Sequence, residues 1–450
     1  MDLRKRPRRQ TAGQGMSRGD RLSALLDDVL QHVLSYPPSR DAVKSAVLSR
    51  RWRHLWRSTP AVRVKGTDDR FRLFVNTLLL YRDASSPLHS FEIDADLILG
   101  HKEHEEADFD PREIDEHVDM WIRYAVRRCR ARSLPARFDD EGIKWSPQQP
   151  QPFASPHLTT MLLHGVILAD DLLDFSCCPA LLHLTLSACT LEGNALTSPS
   201  LERLSIIGCI ADYDSARMRI CTPSLRRLQV SDANSSYEGD LEAPSLESMP
   251  WLRNASIQLL TSSFSTGNVQ MHVRDDDGGA GGSLLLHGLS EATSLELMAS
   301  HSDTRITLLR DLKWCPTFTK LRTLILNEWC VYADVTDLTC LLRHTPRLES
   351  LILQLPFKNR PTLEVKTEGS HITSEWTFLT MEHLKTVEIK NYREFYYFGP
   401  GVDFDKRVVE ILKLFSDWGI PSSKIRINDY KKSEGKTSTY TQFLCVVFYV

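Results

Sequence analysis

Residues 179–191, PALLHLTLSACTL, carry the spacing that decides the fold, and residues 199–209, PSLERLSIIGC, repeat it. In the first stretch Leu181 precedes Leu184 by three positions, and Leu184 precedes Leu186 by two. A separation of two places both side chains on the same face of a β-strand. Each stretch therefore predicts a short strand whose paired apolar side chains point into a core.

The same spacing recurs along most of the chain after residue 156. Copies separated by 23, 20, 24 and 21 residues begin at Leu158, Leu181, Leu201, Leu225 and Leu246, each two positions after a proline. The pattern returns at Leu321, Leu348 and Leu384, with a weaker copy at Ala292, and the copy at Leu246 is interrupted by Pro250. Such a repeat indicates stacked strand units that share one continuous core.

This series resembles a leucine-rich-repeat array, and the resemblance implies parallel strands stacked in a curved solenoid over residues 151–380. Cys189 and Cys209 stand where the repeat motif has an asparagine. A conventional α/β domain is the alternative, and the regular spacing argues against it. Within the array, residues 274–283 predict a flexible loop, since they are rich in aspartate and glycine and lack the spacing and lysine of a phosphate-binding loop.

A different pattern occupies residues 22–56, LSALLDDVLQHVLSYPPSRDAVKSAVLSRRWRHLW. Asp27 and Asp28 are suited to cap a first helix, and Pro37 and Pro38 end it. A second helix is expected to begin near Ser39. Some thirty-five residues cannot enclose this many leucines and two tryptophans, so the pattern predicts that a partner or the next domain covers the remainder.

The stretch resembles an F-box in its plant form, and we assign residues 20–60 to it. The matching residues are Leu22, Leu25, Asp28, Leu30, Val33, Leu34, Ala42, Val43, Leu48, Ser49, Arg51, Trp52, Arg53, Leu55 and Trp56. Leu26 departs from the family, which usually has proline there. The resemblance implies docking to a Skp-type adaptor and, through it, to a cullin; an ordinary helical hairpin packed on its own domain is the alternative.

The apolar positions of this motif are the candidate adaptor-binding residues. They are Leu22, Leu25, Leu30, Val33, Leu34, Val43, Val47, Leu48, Trp52, Leu55 and Trp56. The sequence does not separate those that face the adaptor from those that face inward.

Residues 61–150 are expected to open the array and shield its first apolar layer. A strand is predicted at 61–65 and a helix after Thr67, followed by a strand within 88–99. Asp110 and Pro111 then favour the start of another helix, which carries Val118 and Trp121 on its apolar side.

Residues 381–450 resemble the FBD region that follows the repeats in plant F-box proteins. The stretch HLKTVEI predicts a strand, residues 405–418 a helix ending at Gly419, and residues 424–428 and 443–450 two further strands. Together the predicted fold is α/β: a helical F-box, then a curved solenoid of parallel strands, then a C-terminal α/β cap that covers the open end of the array.

Composition limits the classes of function. The 450 residues carry a net charge of −3, so no overall positive field indicates nucleic acid as a partner. No apolar run is long enough to span a membrane. The basic residues 1–19 predict a disordered tail, which is either a nuclear localisation signal or nucleic-acid-binding arm or simply a solvated terminus. We expect a nuclear or cytoplasmic protein.

No catalytic or metal centre is expected. The ten cysteines form no C-x-x-C pair and predict buried thiols of a reducing compartment. His101, His104, Glu105 and Glu106 match no zinc motif and indicate a solvated charge run. No nucleophile motif and no cofactor motif occur in the sequence.

The strand residues between the inward leucines form a candidate target-binding face. Aligning the copies places His183, Arg203 and Arg227 in one column, and Thr185, Ser205 and Gln229 in a second. The first column could hold an acidic or phosphorylated segment by charge-assisted hydrogen bonds. The alternative is an ordinary polar solenoid face.

The leading functional hypothesis is a substrate-recognition subunit of an SCF-type (Skp adaptor–cullin–F-box) E3 ubiquitin ligase. The F-box would dock the adaptor and the repeats would bind the target. The alternative is a leucine-rich-repeat scaffold that binds proteins outside any ligase. An enzyme or a nucleic-acid binder is disfavoured by the missing catalytic spacing and the near-neutral charge.

Overall fold

The computed structural model describes residues 22, 24–66, 69–95, 112–138, 145–147, 151–211, 218–231, 245–259, 285–299, 308, 311–331, 335–357, 381–393, 406–431 and 437–439. Several sequence expectations lie outside these residues: the basic tail at 1–19, the helix starts at Thr67 and Asp110, the charged stretch at 101–106, the loop at 274–283 and the strand at 443–450.

One sheet organises the described chain. It has 14 strands, and they pair in parallel except at its last pair. In sheet order the strands are β1 (Ala61–Lys65), β2 (Ser90–Asp94), β3 (Ser133–Arg137), β4 (Thr160–His164), β6 (His183–Ser187), β9 (Arg203–Ile207), β12 (Arg227–Ser231), β14 (Asn254–Leu259), β15 (Ser294–Ala299), β16 (Thr323–Asn327), β17 (Ser350–Phe357), β18 (Thr386–Arg393), β19 (Ile425–Lys431) and β20 (Thr437–Thr439). The α/β class with a large parallel sheet is therefore confirmed, and it is compatible with a leucine-rich-repeat fold.

Shorter strands and helices lie outside the main sheet among the described residues. Two three-stranded parallel sheets comprise β5 (Ile167–Ala169), β7 (Thr190–Glu192) and β10 (Ile210–Ala211), and β8 (Ala195–Thr197), β11 (Arg219–Cys221) and β13 (Ser245–Leu246). The helices are α1 (Asp27–Leu34), α2 (Ser39–Lys44), α3 (Trp52–Leu55), α4 (Asp69–Tyr81), α5 (Arg112–Arg123), α6 (Thr336–Arg343) and α7 (Lys406–Asp417). Helix α5 continues into a π-helical turn at Tyr124–Arg128.

The core contains two columns of apolar side chains that run across the sheet in register. Leu184 pairs with Leu204 and Leu204 with Leu228, while Leu186 pairs with Ile206 and Ile206 with Val230. These six side chains are at most 1% exposed. The two-residue spacing read from the sequence therefore becomes one continuous buried layer, in which each strand covers its neighbours.

The repeat expected at Leu246 is misplaced in the sequence prediction. Leu246 lies in β13, outside the main sheet, and the main-sheet strand of this copy is β14, led by Leu252. The Leu252 amide donates to the Met249 carbonyl (3.0 Å), which closes a turn through Pro250. The same turn precedes Leu225, whose amide donates to Thr222 (3.1 Å). Pro250 therefore opens the copy rather than interrupting it.

Strand β3 is absent from the sequence prediction, although it joins the sheet between β2 and β4. Its five residues, SLPAR, contain a proline and only one large apolar side chain. Leu134 and Ala136 are nevertheless fully buried, in register with Met161 and Leu163. The pairing with two neighbours therefore overrides a weak local preference for a strand.

The N-terminal helices enclose a small core of their own. Its buried members are Leu30, Leu34, Ala42, Trp52 and Leu55. Helix α1 begins after Leu26, which makes no side-chain capping bond. The cap predicted at Asp27 is wrong because the Asp27 carboxylate instead binds Arg51, at 2.7 Å. The second helix is also divided, since a 3₁₀ turn at Ser45–Val47 separates α2 from α3.

Hydrogen bonds attach this helical module to the first edge of the sheet. Ser39, at the start of α2, accepts a hydrogen bond from the backbone amide of Arg63 in β1 (2.9 Å). The buried Arg82 guanidinium, after α4, donates to the Thr59 carbonyl (2.7 Å). Val43 and Trp56 also pack against the main core. The module therefore covers an edge that would otherwise offer free amides to another strand.

The helix and strand predicted after residue 405 are confirmed. Helix α7 buries the side chains of Val408, Ile411 and Phe415. It ends where Gly419 adopts a φ of +70°, a left-handed conformation that glycine adopts without strain. Strand β19 follows in parallel with β18, and the short β20 then pairs antiparallel with β19. No helix among the described residues is long and apolar enough to cross a bilayer.

Replacing Leu186 with alanine is expected to lower the free energy of unfolding by about 2–5 kcal/mol, because it leaves a cavity in a fully buried column. Leu182→Ala is the matched control: Leu182 is 38% exposed, so its effect should stay within about 0.5 kcal/mol. Urea denaturation followed by circular dichroism measures both, and equal effects would contradict the buried-column assignment.

Candidate functional site

The helical module leaves seven large apolar side chains exposed between residues 22 and 48, and we call this set the apolar surface. Its members are Leu22, Leu26, Val29, Val33, Tyr36, Val47 and Leu48. Val47 is 87% exposed and Leu48 66% exposed, in and just after the 3₁₀ turn. Soluble proteins seldom leave this many large apolar side chains in water on so few residues unless they bind a partner.

Helix α1 carries two apolar stripes, which explains the surface. Leu30 and Leu34, four positions apart, lie in the small core. Val29 and Val33, also four positions apart, are exposed on a neighbouring side of the helix, and exposed Leu26 precedes the helix as its N-cap. One stripe therefore holds the module together, and the neighbouring stripe remains exposed.

The structure divides the candidate adaptor-binding residues by exposure. Four of them are core residues and are not available to a partner: Leu30, Leu34, Trp52 and Leu55. Four others are exposed as expected: Leu22, Val33, Val47 and Leu48. Leu25, Val43 and Trp56 are partly buried and pack against one or both cores.

Sequence reasoning missed Leu26, Val29 and Tyr36 as exposed positions. Leu26 and Val29 precede Val33 by seven and four residues, and Tyr36 follows it by three. Helical spacing from Val33 was therefore the signal that could have found them. Whether these residues bind an adaptor stays a prediction.

The two polar columns lie in register as expected. His183 pairs with Arg203 and Arg203 with Arg227 along the first residues of β6, β9 and β12. Thr185, Ser205 and Gln229 follow the same register in the second column. Parallel pairing thus places both columns on the face opposite the apolar columns. Their role in target binding is untested by this geometry.

Two further arginines extend the positive charge beyond the predicted column. Arg226 and Arg253 stand immediately before β12 and β14, and both are exposed. Their backbones are adjacent, since the Arg253 amide donates to the Arg226 carbonyl (2.9 Å). Arg226 also binds Glu202 (3.4 Å). Arg203 and Arg227, together with Arg226 and Arg253 just before β12 and β14, form a basic rim at the start of three neighbouring strands. The residue that precedes a strand was the overlooked signal.

A concavity of about 330 Å³ opens beside this rim. The residues that line it are Arg227, Leu228, Gln229, Asn254, Ala255, Ser256, Gln258, Ser294, Glu296 and Ile325. A chain of hydrogen bonds orders its floor: Gln258 donates to the Ser256 hydroxyl (3.3 Å), and Ser256 donates to the Glu296 carboxylate (2.7 Å). The concavity therefore offers a cation at its rim and a carboxylate on its floor.

Comparison with known proteins identifies relatives over most of the chain. The rice (Oryza sativa subsp. japonica) protein named MEIOTIC F-BOX protein MOF is 29% identical over 411 residues, which are 83% of this chain and 81% of the relative. An F-box/FBD/LRR-repeat protein of Arabidopsis thaliana is 26% identical over 377 residues, covering 75% of this chain and 80% of the relative. These curated relatives are plant F-box/FBD/LRR-repeat proteins, and their similarity over much of the chain supports the plant F-box/LRR/FBD family. F-box/LRR-repeat protein 13 of Arabidopsis thaliana is 30% identical over 246 residues, 52% of each chain. No family model matches the sequence.

The names of these relatives contain F-box, FBD and LRR terms, and none of the three names an enzyme. Among the residues that the structure describes, no group of three or more His, Cys, Asp or Glu side chains could hold a metal ion.

The buried thiols of this chain are poor nucleophiles. All nine described cysteines are free of disulfides. Burial raises the pKa of Cys178 to about 11 and that of Cys315 to about 12. A hydrogen bond with the Cys189 side chain, together with burial, raises the pKa of Cys209 well above its usual value. Cys189 itself donates to the Leu163 carbonyl of the preceding repeat (3.4 Å). These thiols serve packing and strand-turn hydrogen bonds, since the reactive form is the thiolate.

The adjacent Cys177 and Cys178 allow a direct test. Cys177 is exposed and Cys178 is buried with a pKa of about 11. At pH 8 only about one Cys178 thiol in a thousand is a thiolate. Iodoacetamide should therefore label Cys177 at least roughly 100-fold faster in the native protein. Site-resolved mass spectrometry measures both rates. The control is the protein unfolded in urea, where the two rates should be similar. Similar rates in the native protein as well would contradict the assigned burial.

Proposed function

We propose that this chain is the substrate-recognition subunit of an SCF-type (Skp adaptor–cullin–F-box) E3 ubiquitin ligase. The observation that carries the proposal is the apolar surface of the helical module. Similarity to the F-box/LRR/FBD family supports it, because F-box proteins are generally substrate receptors of such ligases. The adaptor would cover the apolar surface, and a cullin would join through the adaptor.

The packing of the module supports an external partner. Its small core is already filled by side chains such as Leu30 and Trp52. Its contacts with the sheet run through Ser39, Arg82 and Trp56, which are not part of the apolar surface. Burying a side chain such as Leu48 on a partner contributes about 1.5–3 kcal/mol, so several together provide a driving force for docking.

The polar face of the sheet is the proposed target-binding surface. It carries the columns led by His183 and Thr185, the basic rim and the concavity. The chain itself performs no chemistry in this proposal. It holds the target near a ubiquitin-carrying enzyme supplied by the complex, and the gain in rate comes from proximity. We place this activity in the nucleus, the cytoplasm or both.

Changing Val47 and Leu48 together to aspartate should abolish recovery of a Skp-type adaptor. Both side chains are exposed, so the fold should persist, while two carboxylates would have to lose water in the interface. We expect at least a tenfold loss in a pull-down of the full chain with purified adaptor. Thermal unfolding should stay within a few degrees of the wild type.

The matched control is Leu73→Asp with Leu80→Asp on α4, since these leucines are 68% and 78% exposed and lie outside the helical module. The control should retain adaptor. Leu30→Asp is unsuitable, because Leu30 is fully buried and the change would disrupt the module itself. Equal adaptor recovery from the Val47/Leu48 variant and the wild type would refute docking through this surface. A wild type that recovers no adaptor would favour a repeat scaffold acting outside a ligase.

A further inference from the structure

The concavity between β12 and β16 carries opposite charges at two defined places. Its positive end is the basic rim, where Arg203 and Arg227 are exposed and pair in register on neighbouring strands, and Arg253 is exposed just before the next strand. Adjacent strands lie about 4.8 Å apart, so the guanidinium groups can converge on one anionic group. Glu202, which precedes β9 beside the rim, is paired with Arg226.

The negative end is Glu296, on the polar face of β15. Its carboxylate accepts a hydrogen bond from Ser256, which in turn accepts one from Gln258. These bonds fix the position of the carboxylate without neutralising its charge. A uniformly acidic ligand would be repelled there, whereas a lysine or arginine would be attracted.

The register gives the distance between the two ends. Arg227 pairs with Asn254 and Asn254 with Ser294, so Glu296 lies two strands across from Arg227 and two residues further along. With strands about 4.8 Å apart and a rise of about 3.3 Å per residue, the two backbone positions are about 12 Å apart. An extended chain spans that distance in three or four residues.

The lining favours a peptide over a small apolar ligand. Small-molecule pockets are lined mainly by apolar and aromatic side chains. Here most of the lining residues are polar or charged, including Gln229, Asn254 and Ser294. Serine, asparagine and glutamine side chains can bind the amides and carbonyls of an extended backbone.

We propose that this concavity binds an extended segment of the target that carries an anionic side chain at the basic rim and, three or four residues away, a lysine or arginine at Glu296. The proposal rests on the function proposed above, in which the sheet face receives the target, and adds the chemical class of the recognised segment. The anion is a carboxylate or a phosphate, because arginine binds both in the same way.

A peptide-display selection tests the charge spacing. The probe is a library of random 12-residue peptides, and the bait is the full chain bound to a Skp-type adaptor. Peptides selected by the wild type should be enriched in an acidic residue and a basic residue separated by three or four positions. No enrichment of such pairs would overturn the proposal.

Variants of Glu296 identify the floor as the cation site. Peptides selected by Glu296→Lys should carry a second acidic residue where the wild type requires a basic one, and Glu296→Gln should lose the basic preference. The matched control is Glu388→Lys, because Glu388 occupies the equivalent position of β18 and binds Asn428 there, away from the concavity. Unchanged selection by Glu296→Lys, with an unfolding temperature like that of the wild type, would overturn the proposal.

Synthetic versions of one selected peptide then distinguish the anions. They carry phosphoserine, aspartate or serine at the acidic position, and fluorescence anisotropy measures each affinity. The serine peptide should bind at least tenfold more weakly than the better of the other two, and this difference should vanish in the double variant Arg203→Ala with Arg227→Ala. Equal binding of all three peptides by the wild type would overturn the anion site.

Adaptor recovery from the same preparations separates the two proposals. If the wild type does not bind the adaptor, the chain alone serves as bait. Selection of charge-paired peptides by that bait would refute the ligase role and retain the charge-paired site. Retained adaptor binding without selection of charge pairs would refute the site alone.

Discussion

In-register parallel pairing is the constraint on which the rest of the structure depends. A single repeat places two large apolar side chains on one side of a five-residue strand, and it cannot bury them alone. Leu184 and Leu186 are buried because Met161 and Leu163 lie on one side and Leu204 and Ile206 on the other. A slip of one residue would move the apolar side chains of a strand from the core face to the solvent face. The apolar columns therefore fix the register of the whole sheet.

The polar face inherits its geometry from that register. Arg203 and Arg227 are neighbours because the leucines that follow them, Leu204 and Leu228, stack in the core. The same applies to Asn254 and Ser294 beside the concavity. Side chains separated by more than twenty residues are thus held in fixed relation by buried side chains that no ligand touches. A site on this face needs no dedicated loop to position it.

The sequence was sufficient where one short pattern repeats, and insufficient where a tertiary contact decides. Spacing alone predicted the columns led by His183 and Thr185. It failed at Leu246, where two proline-led leucines compete and only the neighbouring strands select Leu252. The concavity requires side chains from β12, β14, β15 and β16, so no single segment contains its signature.

In the helical module, consecutive apolar residues such as Val33 and Leu34 define two stripes, and only packing tells which stripe is buried. Asp27 likewise leaves its predicted cap because Arg51, distant in sequence, competes for its carboxylate.

The hydrogen bond from the Arg63 amide to the Ser39 side chain fixes the helical module at one end of the array. It holds the helical module against β1, while the concavity begins at β12, the seventh strand of the sheet. Six strand spacings separate the two, about 29 Å along the array. Inserting or deleting one repeat between β4 and β12 would move the concavity by about 4.8 Å along the array relative to the helical module, without changing the residues of either. The number of repeats therefore sets the distance between the helical module and the concavity independently of the side chains at either place.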